Sequence, residues 1–276
     1  MIDTSPRPFA GFSYLAQRGV GKLPIVLLHG IGSNARSFAP LMRALEPRFP
    51  VFAWDAPGYG DSDPLSADWP EASDYSAALN RGLAHVELSR CVLVGHSLGT
   101  LIAARFAAAS PNRVAALFLI SPALGYGVKK GDPLPPAVAS RIEQLDKLGP
   151  KNFAAARAPK LVADPEAQPH VLHSVERVMA SVRRPGYDQA ARLLASGRLL
   201  DDAAKIRVPT VVVVGSEDRV TPPASARRVF KALPSSSQHN LYREIAGAGH
   251  AVCQEQPVEV ARIIAEVVKN VAPAHA

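Results

Sequence analysis

Two cysteines in 276 residues, Cys91 and Cys253, are too few for a disulfide framework, and nothing around them has metal-ligand spacing. Two structural thiols in a reducing compartment are expected instead. Long apolar runs are also missing. The longest are strand-length and broken by Gly, His or Pro, well short of the ~20 residues that cross a bilayer, so no membrane span is expected. Met1 to Arg7 has no basic segment leading into an apolar core, which argues against a secretory signal and for a cytoplasmic location. Runs of one charge sign are absent as well. The 31 basic and 24 acidic residues, net +7, are scattered, and aromatics make up only 6%. A nucleic-acid reader needs a clustered basic face, so nucleic acid is not an expected partner. What remains, 47% apolar and 20% charged residues, suits a globular enzyme acting on a small molecule, and nothing in it sets an oligomeric state.

Against this background one pentapeptide carries chemistry: Gly95-His96-Ser97-Leu98-Gly99. It follows the apolar run Cys91 to Val94 and leads into the Ala-rich stretch Leu98 to Ala109, so it reads as strand, sharp turn and helix. A serine on such a turn has its hydroxyl pushed clear of the backbone, and small flanking residues let neighbouring chain pack close. Ser97 is therefore the candidate nucleophile. A serine hydroxyl attacks well only when a base takes its proton, and imidazole is a good base when a carboxylate holds its other nitrogen. Val208 to Gly215 reads as a doubly buried strand that runs into Ser216-Glu217-Asp218, placing Asp218 at its carboxyl end. Asn240 to Ile245 runs likewise into Ala246-Gly247-Ala248-Gly249-His250. The triad is read as Ser97, Asp218 and His250, with Asp55 and Asp63 as alternative acids.

Together with Leu27-Leu28-His29-Gly30-Ile31-Gly32 and Asp55-Ala56-Pro57-Gly58-Tyr59-Gly60-Asp61-Ser62-Asp63, these segments make the chain resemble the α/β-hydrolase family over nearly all its length. The resemblance implies an oxyanion hole built from the backbone N–H groups of Ile31 and Leu98, and chemistry that needs no metal or organic cofactor. A serine, rather than the aspartate of haloalkane dehalogenases and epoxide hydrolases of this fold, favours acyl chemistry. Gly186 to Arg192, Leu199-Leu200 and Ile206 to Thr210 are most similar to 3-oxoadipate enol-lactonases and their esterase-like relatives. Carbon–carbon bond hydrolases of ring-fission products (meta-cleavage products) are similar too. Those often carry Asn before the nucleophile and Met after it, whereas His96 and Leu98 stand here, so hydrolysis of a small carboxylic ester or lactone is the expected activity and C–C hydrolysis the alternative.

Alternating strand and helix signals predict an α/β fold: a mostly parallel central sheet with helices on both faces and an inserted helical cap. Strands are expected at Phe9 to Gln17, Ile25 to His29, Pro50 to Asp55, Cys91 to His96, Val114 to Ile120, Thr210 to Gly215 and His239 to Ile245. Core helices are expected at Ser37 to Glu46, Ser73 to Leu88, Leu98 to Ser110, Pro222 to Leu233 and Val258 to Val271. No strand is expected between Pro122 and Val208, only helical pieces near Pro135 to Leu148, Lys151 to Val162, Gln168 to Val182 and Pro185 to Leu200. Residues 1–123 and 204–276 are thus assigned to the core and 124–203 to the cap. The family usually has two strands before the His-Gly strand, and here only one is available.

Residues 124–205 hold 13 Lys and Arg against 9 Asp and Glu, which suggests that a cap arginine binds a substrate carboxylate. Arg183 and Arg184 are the first candidates, followed by Arg36 and Arg157. His29 and His96 flank the site as orienting or packing groups rather than bases, and both join the candidates for substrate binding. Two readings of another kind compete. Gly30-Ile31-Gly32-Ser33-Asn34-Ala35 with Asp55 beyond it matches a dinucleotide-binding pattern, and so an NAD-dependent oxidoreductase, but leaves Ser97, Asp218 and His250 without a role. A non-catalytic small-ligand receptor of the same fold has no use for an intact triad.

Overall fold

The computed structural model describes residues 11–235 and 239–271. Seven short strands form one sheet: β1 (Ser13–Gln17), β2 (Ile25–Leu28), β3 (Val51–Asp55), β4 (Cys91–His96), β5 (Val114–Ile120), β6 (Thr210–Gly215) and β7 (Leu241–Ile245). Their order across the sheet is β1-β3-β2-β4-β5-β6-β7. Only β1 runs antiparallel, against β3 at the edge. The expected strand at Phe9 to Gln17 thus begins at Ser13, and Phe9 and Ala10 lie outside the described residues. Among the described residues a single strand precedes β2, as its length in sequence implies.

The central strands are continuous apolar runs because both their faces are covered. Alternate residues feed two hydrophobic clusters. Leu28 and Leu93 point to the side of α2 (Ala72–His85), α3 (Gly99–Ala109) and the inserted helices, while Leu27, Val92 and Val94 point to α1 (Ala39–Leu45) and α10 (Pro257–Val271). A 3-10 turn over Ala35–Phe38 precedes α1, where one helix from Ser37 was expected. Glu71 and Asp74 cap the start of α2 reciprocally, the Glu71 N–H donating to the Asp74 carboxylate.

Between β5 and β6 come α4 (Pro136–Arg157), a 3-10 turn over Ala158–Leu161, α5 (Pro169–Met179), α6 (Gly186–Ser196) and α7 (Leu199–Ala203). α4 is two helices joined at a kink, where Gly149 leaves helical geometry (φ 69°, ψ 164°) and Pro150 follows. The expected fourth helical piece likewise divides, at Gly197 and Arg198. Its second part, α7, packs on α3 and on α8 (Pro223–Ala232) of the core. A four-residue helix, α9 (Val252–Glu255), follows β7 and has no counterpart in the sequence reading, being too short for any periodic signal. No helix among the described residues is long and apolar enough to cross a membrane.

Register brings the strand ends together. Leu28 pairs with Gly95, so the His29-Gly30 loop lies beside the serine turn, and Gly215 pairs with Ile245, so the Asp218 turn lies beside the His250 loop. In a parallel sheet the carboxyl ends share one edge, which is where such loops can converge.

Candidate active site

Ser97 sits at φ 53°, a left-handed conformation that a non-glycine residue adopts only when its surroundings enforce it. Close packing enforces it here. A Cβ on Gly99 would run into the Leu28 carbonyl oxygen, and one on Gly30 would come 2.8 Å from the Ser97 Cβ. Only glycines let β2, the His29-Gly30 loop and the serine turn approach this closely. The Ser97 side chain is thereby driven out beyond the end of β4.

Three side chains meet at that point. The Ser97 hydroxyl lies 3.0 Å from His250 Nε2, and His250 Nδ1 lies 2.9 Å from Asp218 Oδ2. The carboxylate only accepts, so Nδ1 carries the proton and Nε2 is the bare nitrogen facing serine. Ser97, Asp218 and His250 are 6%, 2% and 4% exposed, which puts the whole chain of hydrogen bonds out of bulk water. Asp218 Oδ1 also accepts from the Val220 and Thr221 N–H groups at 2.9 and 2.8 Å, and Oδ2 from the Thr221 hydroxyl at 3.0 Å. Burial pushes the Asp218 carboxyl up, but the His250 imidazole and the hydrogen bonds from His250 and Thr221 outweigh it and hold the group well below the usual carboxylate range. Thr221 is a partner the sequence reading missed, although a threonine three residues after a turn aspartate is its local signal.

The Ile31 and Leu98 amides donate to no protein acceptor among the described residues, and Leu98 stands at the amino end of α3. Both residues line the same cavity as Ser97 and His250. An unengaged N–H at a helix start and a second from the loop after β2, both beside the candidate nucleophile, are what a developing oxyanion needs.

The other predicted residues divide. His29 donates from Nδ1 to the Gly30 carbonyl at 2.8 Å and accepts the Ala56 N–H at Nε2, so both its nitrogens are spent holding the Ile31 loop to the turn after β3. Burial lowers its pKa. It is absent from the cavity wall. His96 donates from Nε2 to the His250 carbonyl oxygen at 2.8 Å and lines a side cavity of about 40 Å³. Burial and the neighbouring His250 push its pKa down to about 3, so it is neutral. Arg183 donates to the Ser62 carbonyl, and Arg184 is paired with Asp146 and Asp188. Neither arginine lines the cavity, nor does the exposed Arg36. Arg157 does. Asp55, the alternative acid, accepts from the Ser13 hydroxyl and the Ala35 N–H and makes no contact with His250. Its carboxylate is thus committed to tying β1, β3 and the Gly30 to Ala35 loop together, which also removes the acid that a ribose-binding pattern would need.

The main cavity has a volume of about 720 Å³. Its floor is Ile31, Ser97, Leu98 and His250 from the core, and its roof is Phe153, Met179, Tyr187 and Leu194 from the inserted helices. One link between the roof and the His250 loop was not foreseen. The Glu255 carboxylate on α9 accepts the Gly249 N–H at 2.9 Å and the Ala163 N–H at 2.8 Å, while the Ala251 N–H donates to the Leu161 carbonyl at 2.8 Å. The His250 loop is so fastened on both sides to the segment leading from α4 to α5. Burial pushes both cysteine thiols up to about 12, so neither is a ready nucleophile. No group of three or more His, Cys, Asp or Glu able to hold a metal occurs among the described residues.

Comparison with known proteins gives a consistent pattern. The model of a family described as the alpha/beta hydrolase family matches residues 25–263. A Pseudomonas putida 2-hydroxy-6-oxononadienedioate/2-hydroxy-6-oxononatrienedioate hydrolase is 30% identical over 235 residues, covering 80% of each chain. The biotin biosynthesis bifunctional protein BioHC of Cellvibrio japonicus is 28% identical over 265 residues, 91% of this chain but only 48% of that one. The chain therefore spans about half the length of that relative. Among solved structures, the enol-lactonase from Burkholderia xenovorans LB400 superposes with a TM-score of 0.83 at 21% identity, covering 96% of this chain and all of the other.

Proposed function

The chain belongs to the alpha/beta hydrolase family and is a hydrolase, and from that premise we propose that it cleaves a small carboxylic ester or lactone through an acyl-enzyme on Ser97. The observation that carries this reading is the buried hydrogen-bond chain from Ser97 through His250 to Asp218 at the floor of the cavity. His250 Nε2 takes the hydroxyl proton as Oγ attacks the carbonyl carbon. Negative charge collects on the carbonyl oxygen, and the Ile31 and Leu98 N–H groups donate to it. Removing one such donor costs roughly 3 kcal/mol of transition-state stabilisation in serine hydrolases, so these amides matter as much as the base. The tetrahedral species collapses, the ester C–O bond breaks, and His250 returns the proton to the leaving oxygen. Water then repeats the sequence on the acyl-enzyme, its hydroxyl going to the acid product and its proton through His250 back to Ser97. Asp218 keeps the imidazole in the Nδ1–H tautomer and stabilises the imidazolium formed twice in each cycle.

Ser97→Ala removes the covalent route and should lower turnover of a 4-nitrophenyl ester by about 10³-fold or more, with an unchanged circular dichroism spectrum. Activity within tenfold of the parent would remove Ser97 from the role. Sequence identity to a hydrolase of a ring-fission dienedioate favours a second reading, C–C bond hydrolysis. A panel of enol-lactones, aryl esters and vinylogous 1,5-diketones separates the two, the first two classes being the expected substrates.

A further inference from the structure

Four cationic side chains, Arg141, Arg157, Lys160 and Arg219, stand in the wall of the main cavity, and no aspartate or glutamate joins them there. Among the described residues none of the four has an ion-pair partner. Of the other arginines between β5 and β6, Arg183 donates to the Ser62 carbonyl, Arg184 pairs with two aspartates, Arg192 donates to the Asp68 carbonyl and Arg198 to the Gly127 carbonyl, while Arg177 is exposed on α5 away from the cavity. Arg141 and Arg157 differ in lining the cavity with no carboxylate partner. Arg141 stands near the Tyr187 side chain in the cavity wall, while Arg157 reaches the Gln144 side-chain oxygen at 3.4 Å and lies 5.3 Å from the centre of the Phe153 ring.

Both guanidinium groups belong to α4, 16 positions apart, which on a straight helix is on the order of 24 Å. The kink at Gly149 and Pro150 is what turns the two halves so that both reach one cavity. Each is half-buried, and burial together with the Arg141 charge lowers the pKa of Arg157. Half-burying two like charges side by side without a counterion is unfavourable. An anion lying between them offsets that cost, and planar guanidinium forks suit a carboxylate. Phe153, Met179 and Tyr187 give the space between this pair and Ser97 apolar walls.

We infer that Arg141 and Arg157 form an anion subsite and that the substrate is an ester whose acyl chain ends in a carboxylate. The scissile carbonyl sits at Ser97, the methylene chain lies along the apolar wall, and the exposed Lys160 and Arg219 steer the anion from the rim. Hydrolysis breaks the ester C–O bond with one water and releases an alcohol and a dicarboxylate. The inference rests on the reading of Ser97 as the nucleophile, and its test is chosen to separate the two.

The probes are 4-nitrophenyl hydrogen glutarate and its neutral methyl-capped counterpart, compared as the ratio of their kcat/KM values. The parent enzyme should favour the half-ester by about tenfold or more, and Arg141→Gln or Arg157→Gln should collapse that preference, chiefly through KM for the half-ester. Arg157→Lys should restore part of it. Arg36→Ala, outside the cavity, should keep the parent ratio. A parent ratio near one, or a ratio untouched in both glutamine variants, overturns the inference while leaving the ester hydrolase reading intact. If neither ester is turned over, the reading of Ser97 fails, and calorimetric titration of glutarate decides the subsite independently. Binding weakened about fivefold or more by Arg157→Gln supports it, and glutarate affinity that is absent or unaltered overturns it.

Discussion

Asp55 ends β3 and Asp218 follows β6 at the same carboxyl edge of the sheet, and their neighbours give them different work. Asp218 faces an imidazole, so an amide in its place favours the wrong tautomer and cannot stabilise imidazolium. Asp218→Asn should lower kcat by about 10³- to 10⁴-fold while the protein stays folded. Asp55 instead accepts from Ser13 and from the Ala35 amide, and hydrogen bonds to a buried charge are worth ~1.5–3 kcal/mol. Asp55→Asn should therefore act through stability, lowering Tm by several degrees with a smaller effect on kcat. The opposite pattern would move the acid to β3. The buried histidines set an acid limit. His29 and His96 are neutral in the folded protein, His96 with a pKa near 3 against 6.5 for a free imidazole. As pH falls below about 6.5 the unfolded chain takes up these protons and the folded one does not, so stability is full above that pH and is lost on the way down to about 3. Asp218, whose pKa is depressed, adds its own loss only at lower pH, below the ordinary carboxylate value. Tm should drop between pH 7.5 and pH 5, and drop less in His96→Gln, which keeps a donor for the His250 carbonyl but does not titrate in the range about pH 3 to 6.5. Equal drops in the two proteins would contradict the assignment of His96 as buried and neutral.

At the scale of elements, the segment around β7 and α9 shows how four helical residues can fasten the loop that carries His250. Glu255 ends α9 and accepts N–H groups from Gly249, beside His250, and from Ala163, in the inserted segment. Glutamine keeps the shape but presents an NH2 group to one of those two donors, leaving a buried N–H unsatisfied at a cost of ~1–3 kcal/mol. Glu255→Gln should lower Tm by several degrees and kcat several-fold, since these bonds fix the backbone of the loop that carries His250. Amide hydrogen exchange at Gly249 and Ala163 reports the clasp directly. Parent-like protection at both would show that the carboxylate is dispensable.

For the molecule as a whole, sheet and insertion are not separate cores. Leu98 and Leu101 of the serine helix belong to the same hydrophobic cluster as Met179, Tyr187 and Leu193 of the inserted helices. Gly58 and Gly186 bring the turn after β3 against the start of α6 at a spacing that no Cβ would permit. A shared core has no plane along which one part can melt first. Thermal unfolding should therefore be a single transition with equal calorimetric and van't Hoff enthalpies, and two resolved transitions would show that the inserted helices are an independent unit.

What the sequence alone determined is whatever local pattern and chain order encode. The β-branched runs gave the strands, the glycines around Ser97 gave the turn, and the positions of Asp218 and His250 after later strands gave the order of the candidate triad. These signals span a few residues and survive translation into three dimensions because a parallel sheet collects its strand ends on one edge. Which arginine faces the cavity was not legible. Arg183 and Arg184 looked free in sequence, yet their acceptors include Ser62 and Asp146, brought to them only by tertiary packing. Arg157 was a later candidate in the sequence and Arg141 was not one, and the direction of one kink decides that both reach the cavity. Helical period fixes which side chains share a face, but the angle at which a glycine–proline break sends the next helix depends on what that helix packs against, and those contacts exist only in the folded chain.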